Sequence, residues 1–95
     1  MDNENFYYPF ALAFRTIDED DKEIYLKSIK ELSDDYACTD QVNGELSCMV
    51  CFHTSEKYYK FIRDTGIIGY KVLNSPEQIK QKFHEIVDAH IKKQN

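Results

Sequence analysis

The residues closest to a chemical signature are Cys48-x-x-Cys51, with Cys38 upstream and His53 two positions on. Together they could supply Cys₃His ligation to zinc, which takes thiolate and imidazole donors in a tetrahedron. The pair alone could serve as a redox dithiol. Spacing argues against both. If residues 45 to 53 form a strand, positions three apart point to opposite faces, so the two sulfurs diverge unless a bulge intervenes. No second cysteine pair follows, and a redox Cys-x-x-Cys wants a helix N-terminus to lower its thiol pKa. The three cysteines are therefore read as small core residues, and no metal or cofactor is expected.

His53, His84 and His90 are the candidate general bases. His84 and His90 lie six apart in a helical pattern, a poor spacing for joint ligation, and His90 falls on an apolar stripe. His53 closes a strand just before a helix start, where small domains often build sites. Arg15, near the end of the first strand, is the other polar side chain suited to line a pocket. Asp18, Glu19, Asp20 and Asp21 lack the ligand spacing and glycine of a calcium loop. They read better as a capped helix start, with acids at the positive end of the helix dipole.

These side chains must be positioned by elements that the hydrophobic period reveals. Residues 8 to 17 alternate as a strand, with Phe10, Leu12, Phe14 and Thr16 on one face and Ala11, Ala13 and Arg15 on the other. A helix follows from Asp18, with Ile24, Tyr25, Ser28, Ile29, Leu32 and Tyr36 as its buried stripe. Residues 36 to 42 and 45 to 53 flank Asn43-Gly44, a strong hairpin signal because both turn positions accept positive φ. Thr54 or Ser55 opens a second helix over Tyr58, Phe61 and Ile62, which Gly66 ends in the left-handed conformation. Residues 67 to 73 form the last strand, with Ile68, Tyr70 and Val72 inward. Ser75-Pro76-Glu77-Gln78 then starts a long helix, striped by Ile79, Phe83, Ile86, Val87, His90 and Ile91. Residues 1 to 5 are polar and expected to fray.

This order, strand-helix-strand-strand-helix-strand plus one helix, predicts an α+β fold. The expected form is a ferredoxin-like βαββαβ sandwich: a four-stranded antiparallel sheet and an additional C-terminal helix. Two helices would cover one sheet face. The other would show Ala11, Ala13, Ser47, Met49, Cys51, Gly69 and Leu73, small enough for the last helix to approach closely. A docking role for that helix on another chain is the alternative.

Ninety-five residues make one domain, 1–95, and 42% apolar content supports a folded core. No apolar run is long enough to span a membrane, so no membrane association is expected. The acidic N-terminal stretch resembles no signal peptide. With an odd cysteine count, this points to a reducing, cytoplasmic setting. The net charge of −5 hides an asymmetry: residues 1–56 hold thirteen acids and four bases, residues 57–95 four acids and eight bases. The two halves could neutralise each other, or the acidic one could dock on a basic partner.

The balance of these features is against an enzyme. The leading expectation is a small regulatory or inhibitory module that binds another protein through an acidic, tyrosine-containing surface: Tyr7, Tyr8, Asp18, Asp20, Asp21, Glu23 and Tyr59. Tyrosine suits interface anchors. The alternative is an oligomeric ferredoxin-like small-ligand binder or enzyme, with a homodimer as one form, whose pocket between sheet and helices contains Arg15 or His53. Nucleic-acid binding through Lys57, Lys60, Arg63, Lys71, Lys80 and Lys82 is the weakest reading. The expected sheet face lacks the stacking rings of an RNA-recognition sheet, and the net charge opposes phosphate.

Overall fold

A computed structural model of the chain describes residues 7–40 and 44–94. Residues 1 to 5 and Asn43 of the expected turn lie outside the described residues. The elements run β1 (Phe10–Thr16), α1 (Glu19–Leu32), β2 (Asp35–Asp40), β3 (Leu46–Phe52), α2 (Ser55–Thr65), β4 (Lys71–Val72) and α3 (Pro76–Gln94). The strands form one antiparallel sheet in the order β2-β3-β1-β4. The fold is thus α+β, with a four-stranded sheet and three helices.

Local chemistry sets the helix ends. The Asp18 carboxylate accepts from the N–H groups of Asp20 and Asp21 at 2.9 and 3.1 Å, satisfying two donors that a helix start leaves orphaned. The Lys57 N–H donates to the Thr54 hydroxyl at the start of α2. Gly66 ends α2 with φ 64°, a conformation that costs an L-residue with a Cβ. At α3, the Gln78 N–H donates to the Ser75 hydroxyl while the Gln78 side chain accepts from the Asn74 N–H.

The sheet separates two cores. On one face, Leu12, Phe14, Leu46, Cys48, Val50 and Phe52 meet Tyr25 and Ile29 of α1 and Tyr58 and Phe61 of α2. Rings dominate there: Phe14 meets Tyr25 edge-on at 5.0 Å, and Phe52 lies 5.5 Å from Phe61. On the other face, Ala11, Ala13, Met49, Cys51 and Leu73 receive Ile79 and Ile86 of α3, with Phe83 at the margin. The small residues admit α3 closely, so the last helix belongs to this chain's own core. Strand β3 is buried along its whole length, because helices cover both of its faces and strands both of its edges.

Four expectations about side-chain direction need correction. Ile24 lies outside the α1 stripe and is 46% exposed, because the helix buries a narrower face through Tyr25, Ser28 and Ile29. Tyr36 belongs to edge strand β2 and is also substantially exposed. The last strand shrinks to Lys71–Val72, with Ile68 88% exposed; Val72 shares the α1/α2 face with its register partner Leu12 but is 43% exposed at the sheet edge. The cause is the pair of left-handed glycines: Gly66 returns Ile67 directly to the core, and Gly69 (φ 74°) breaks the alternation that would have buried Ile68. His90 and Ile91 are exposed, as the stripe of α3 ends near Ile86 and Val87.

Candidate functional site

Three strands end or begin at one edge of the α3-covered face, and a cleft of about 400 Å³ opens there between sheet and helix. Strand β1 contributes Arg15, β3 Ser47, β4 Lys71, and α3 Lys82 and Glu85; Ala13, Phe14, Cys48, Gly69 and Ile86 also line it. Arg15 and Ser47 are register partners across β1 and β3. Lys82 pairs with Glu85 at 2.9 Å, and Arg15 approaches Glu45 at 3.8 Å. Both contacts are solvent-accessible, where an ion pair contributes little and is readily exchanged. Three cations thus meet around one concavity on a chain whose net charge is negative. Arg15, the pocket candidate of the sequence, lines this cleft. Nothing local in the sequence marks Ser47 and Glu85, which line it too.

The acidic candidates gather at the same end of the sheet but on its other face. Asp18 caps α1, with Glu19, Asp20 and Asp21 in the first turn and Glu23 exposed beyond them. Ile17, just before the cap, is 64% exposed. A residue there often packs on the fourth helical position, but that position is Lys22, whose ammonium instead reaches Glu19 and the carbonyl of Gly44. Ile24 shares a helix face with Asp20 and Asp21, four and three residues earlier. The result is an outward surface of carboxylates bracketed by two isoleucines.

The tyrosine candidates lie elsewhere. Strand β1 has seven residues and spans roughly 20 Å. Tyr7 and Tyr8 precede it at the far end from Asp18. Tyr59 stacks edge-on against Tyr58, which packs on Phe10 and Phe52 at that far end. The expected interface residues therefore divide into two groups, one acidic and one tyrosine-rich.

His53 belongs to the tyrosine end and is remote from the cleft. The Tyr8 ring lies 4.9 Å from the His53 ring, and its hydroxyl donates to Asp35 at 3.0 Å. The His53 N–H donates to Asp34 at 2.7 Å, and Lys57 completes the group at 3.3 Å from the same carboxylate. The backbone hydrogen bond from His53 holds Asp34 below the usual carboxylate range, with Lys57 adding to it. Burial, reinforced by the bond to Asp35, pushes the Tyr8 hydroxyl up to about 12. Tyr8 therefore stays a neutral donor at physiological pH. The arrangement ties the chain before β1 to β2, and β3 to α2.

Cys48 and Cys51 point into opposite cores, as their spacing requires. Burial pushes the Cys51 thiol up to about 12, and contact with Cys38 pushes Cys48 upward as well. Neither is poised as a nucleophile in the resting protein. Among the described residues, no three His, Cys, Asp or Glu side chains cluster as metal ligands. His84 and His90 are exposed on α3. Of the basic residues, Lys60 and Arg63 both face Asp64 and Lys57 faces Asp34, while Lys71 and Lys82 line the cleft. Among the described residues, no helix is long and apolar enough to cross a membrane. No protein-family model, curated protein or solved structure matches the chain, so the reading of these sites rests on their own geometry.

Proposed function

We propose that this chain is a small non-enzymatic regulatory or inhibitory module that binds a protein with a basic surface. Its docking surface is the acidic, isoleucine-bracketed start of α1. The observation that carries this reading is the outward placement of Ile17 and Ile24 beside Asp18, Asp20, Asp21 and Glu23. Apolar side chains amid like charges supply both burial and steering for a partner of opposite sign. The tyrosine end is a second contact region rather than part of the same patch. The element order βαββαβ and the sheet order β2-β3-β1-β4 support reading the architecture as a ferredoxin-like sandwich extended by α3. A cytoplasmic location fits the three free thiols.

The test is native mass spectrometry of complexes captured from host lysate by the wild-type chain and by an Asp20→Asn/Ile24→Ser variant. A defined protein retained by the wild type and lost by the variant supports the surface. Equal retention by both removes it.

The cleft favours a second reading, a binder of a small anionic ligand, with Arg15, Lys71 and Lys82 as its cations and Ser47 as a hydroxyl partner. The volume lies within the range of small-molecule sites. Pyrophosphate should raise the melting temperature of the wild type and not that of Arg15→Ala. A ligand effect that survives in Arg15→Ala would place the anion elsewhere.

A further inference from the structure

Cys38 and Cys48 sit opposite each other across the β2–β3 ladder. Side chains of directly opposed residues project to the same face. Here that is the α1/α2 face, where Cys48 is fully buried and Cys38 packs at the margin. Whether such a pair can bond depends on its type, since opposed residues in an antiparallel ladder alternate between hydrogen-bonded and closer non-hydrogen-bonded positions.

Two backbone contacts fix the type. The Leu73 N–H donates to the Ala11 carbonyl, so the backbone groups of Ala11 face β4. By alternation those of Leu12 and Phe14 face β3, and Phe14 is the register partner of Cys48. Cys48 therefore spends its backbone groups on β1. From the other side, the Asp34 N–H donates to the Cys51 carbonyl. Cys51 thus turns its backbone groups toward β2, as do Met49 and Ser47, and Cys48 does not. Both routes make Cys38–Cys48 a non-hydrogen-bonded pair, with Cα atoms about 4.5 Å apart. Disulfides span Cα separations of roughly 4.4–6.8 Å. Cys38 packs against the same core cluster that holds Cys48.

We infer that Cys38 and Cys48 form an oxidisable pair that closes into a disulfide on exposure to a low-molecular-weight disulfide such as oxidised glutathione. Cys38 is the entry point, being half-buried on an edge strand. Its thiolate attacks one sulfur of glutathione disulfide, breaking that S–S bond and releasing one glutathione thiolate, which takes up a proton. Cys48 then loses its proton and attacks Cys38 Sγ in the mixed disulfide, forming the protein S–S bond and releasing the second glutathione. Two electrons and two protons pass from the protein to the oxidant, leaving two molecules of reduced glutathione. Cys51 takes no part, because it lies buried on the other side of the sheet. The reaction quickens as pH rises, since both steps need a thiolate. This inference is independent of the docking surface.

The experiment uses the wild-type chain, incubated in native buffer with oxidised glutathione at mildly alkaline pH and digested without reduction. The expected product is lighter by two hydrogens and yields a peptide pair linking Cys38 to Cys48, with Cys51 alkylated only after unfolding. A Cys38→Ser chain, with its fold checked by circular dichroism, yields no internal disulfide. A stable glutathione adduct at Cys38, a bond that includes Cys51, a Cys38-linked dimer, or no reaction would each overturn the inference.

Discussion

At the level of single residues, one buried side-chain polar atom among those described lacks a partner, and it makes a sharp test. The Thr39 hydroxyl is buried beneath α3 with no hydrogen-bond partner among the described residues. An unsatisfied buried hydroxyl costs about 1–3 kcal/mol. Thr39→Val should therefore raise the unfolding free energy by about 1 kcal/mol in urea titration; a loss of stability would show that the hydroxyl is satisfied in solution. Asp34 is the opposite case. Its pKa is lowered in the folded state, first by the His53 N–H and then by Lys57. The folded state thus binds this proton less readily than the unfolded chain. The resulting stability is complete above the ordinary carboxylate pKa and disappears as pH falls through the lowered folded value. Urea midpoints measured from neutral pH downward should fall through the acid range in the wild type, and less steeply in Asp34→Asn. Parallel curves would assign the acid sensitivity to other carboxylates.

At the level of elements, periodicity made the order legible, because apolar positions alternate along the strands and recur at helical spacing along most of each helix. The two-sided core was legible as well. Small residues at Ala11, Ala13 and Cys51 left room for a helix, and α3 occupies it. What the sequence hides is set by neighbours or by backbone conformation. Gly69 resets the alternation and leaves Ile68 outside. Ile24 fits a helical stripe yet is not needed in one, since Tyr25 and Ile29 already fill the space over Phe14 and its neighbours. The cleft was hidden for a different reason: its cations come from β1, β4 and α3, and converge through sheet order rather than spacing. Two substitutions check these assignments. Ile79→Ala should cost about 2–5 kcal/mol if α3 is integral to the core, and a near-neutral result would mean that the helix docks loosely. Gly66→Ala, at φ 64°, should cost about 1 kcal/mol through backbone strain alone, since a Cβ there meets no neighbouring atom.

At the scale of the whole molecule, the question is where the charge asymmetry goes. Intramolecular neutralisation would require ion pairs between the acidic and basic parts of the chain. Among the described pairs, Lys57–Asp34 makes that connection. Lys60–Asp64, Arg63–Asp64 and Lys82–Glu85 stay within the basic part, and Lys22–Glu19 and Arg15–Glu45 within the acidic part. Among the described residues, Asp18, Asp20 and Glu23 at the start of α1 are exposed carboxylates of this first part. A field of this kind acts on encounter before contact, so its signature is kinetic and sensitive to salt. Association with a lysine-rich protein or peptide should be fastest at low ionic strength and should slow steeply as salt is added. Asp20→Asn/Asp21→Asn should reduce the low-salt association rate by roughly tenfold, while wild type and variant converge at high salt. Dissociation should respond instead to Ile24→Ser, because apolar burial outlasts screening. Stopped-flow association across a salt series separates the two terms. An association rate that ignores both salt and the Asn substitutions would remove the acidic end of α1 as the docking surface, whatever partner the chain is later found to bind.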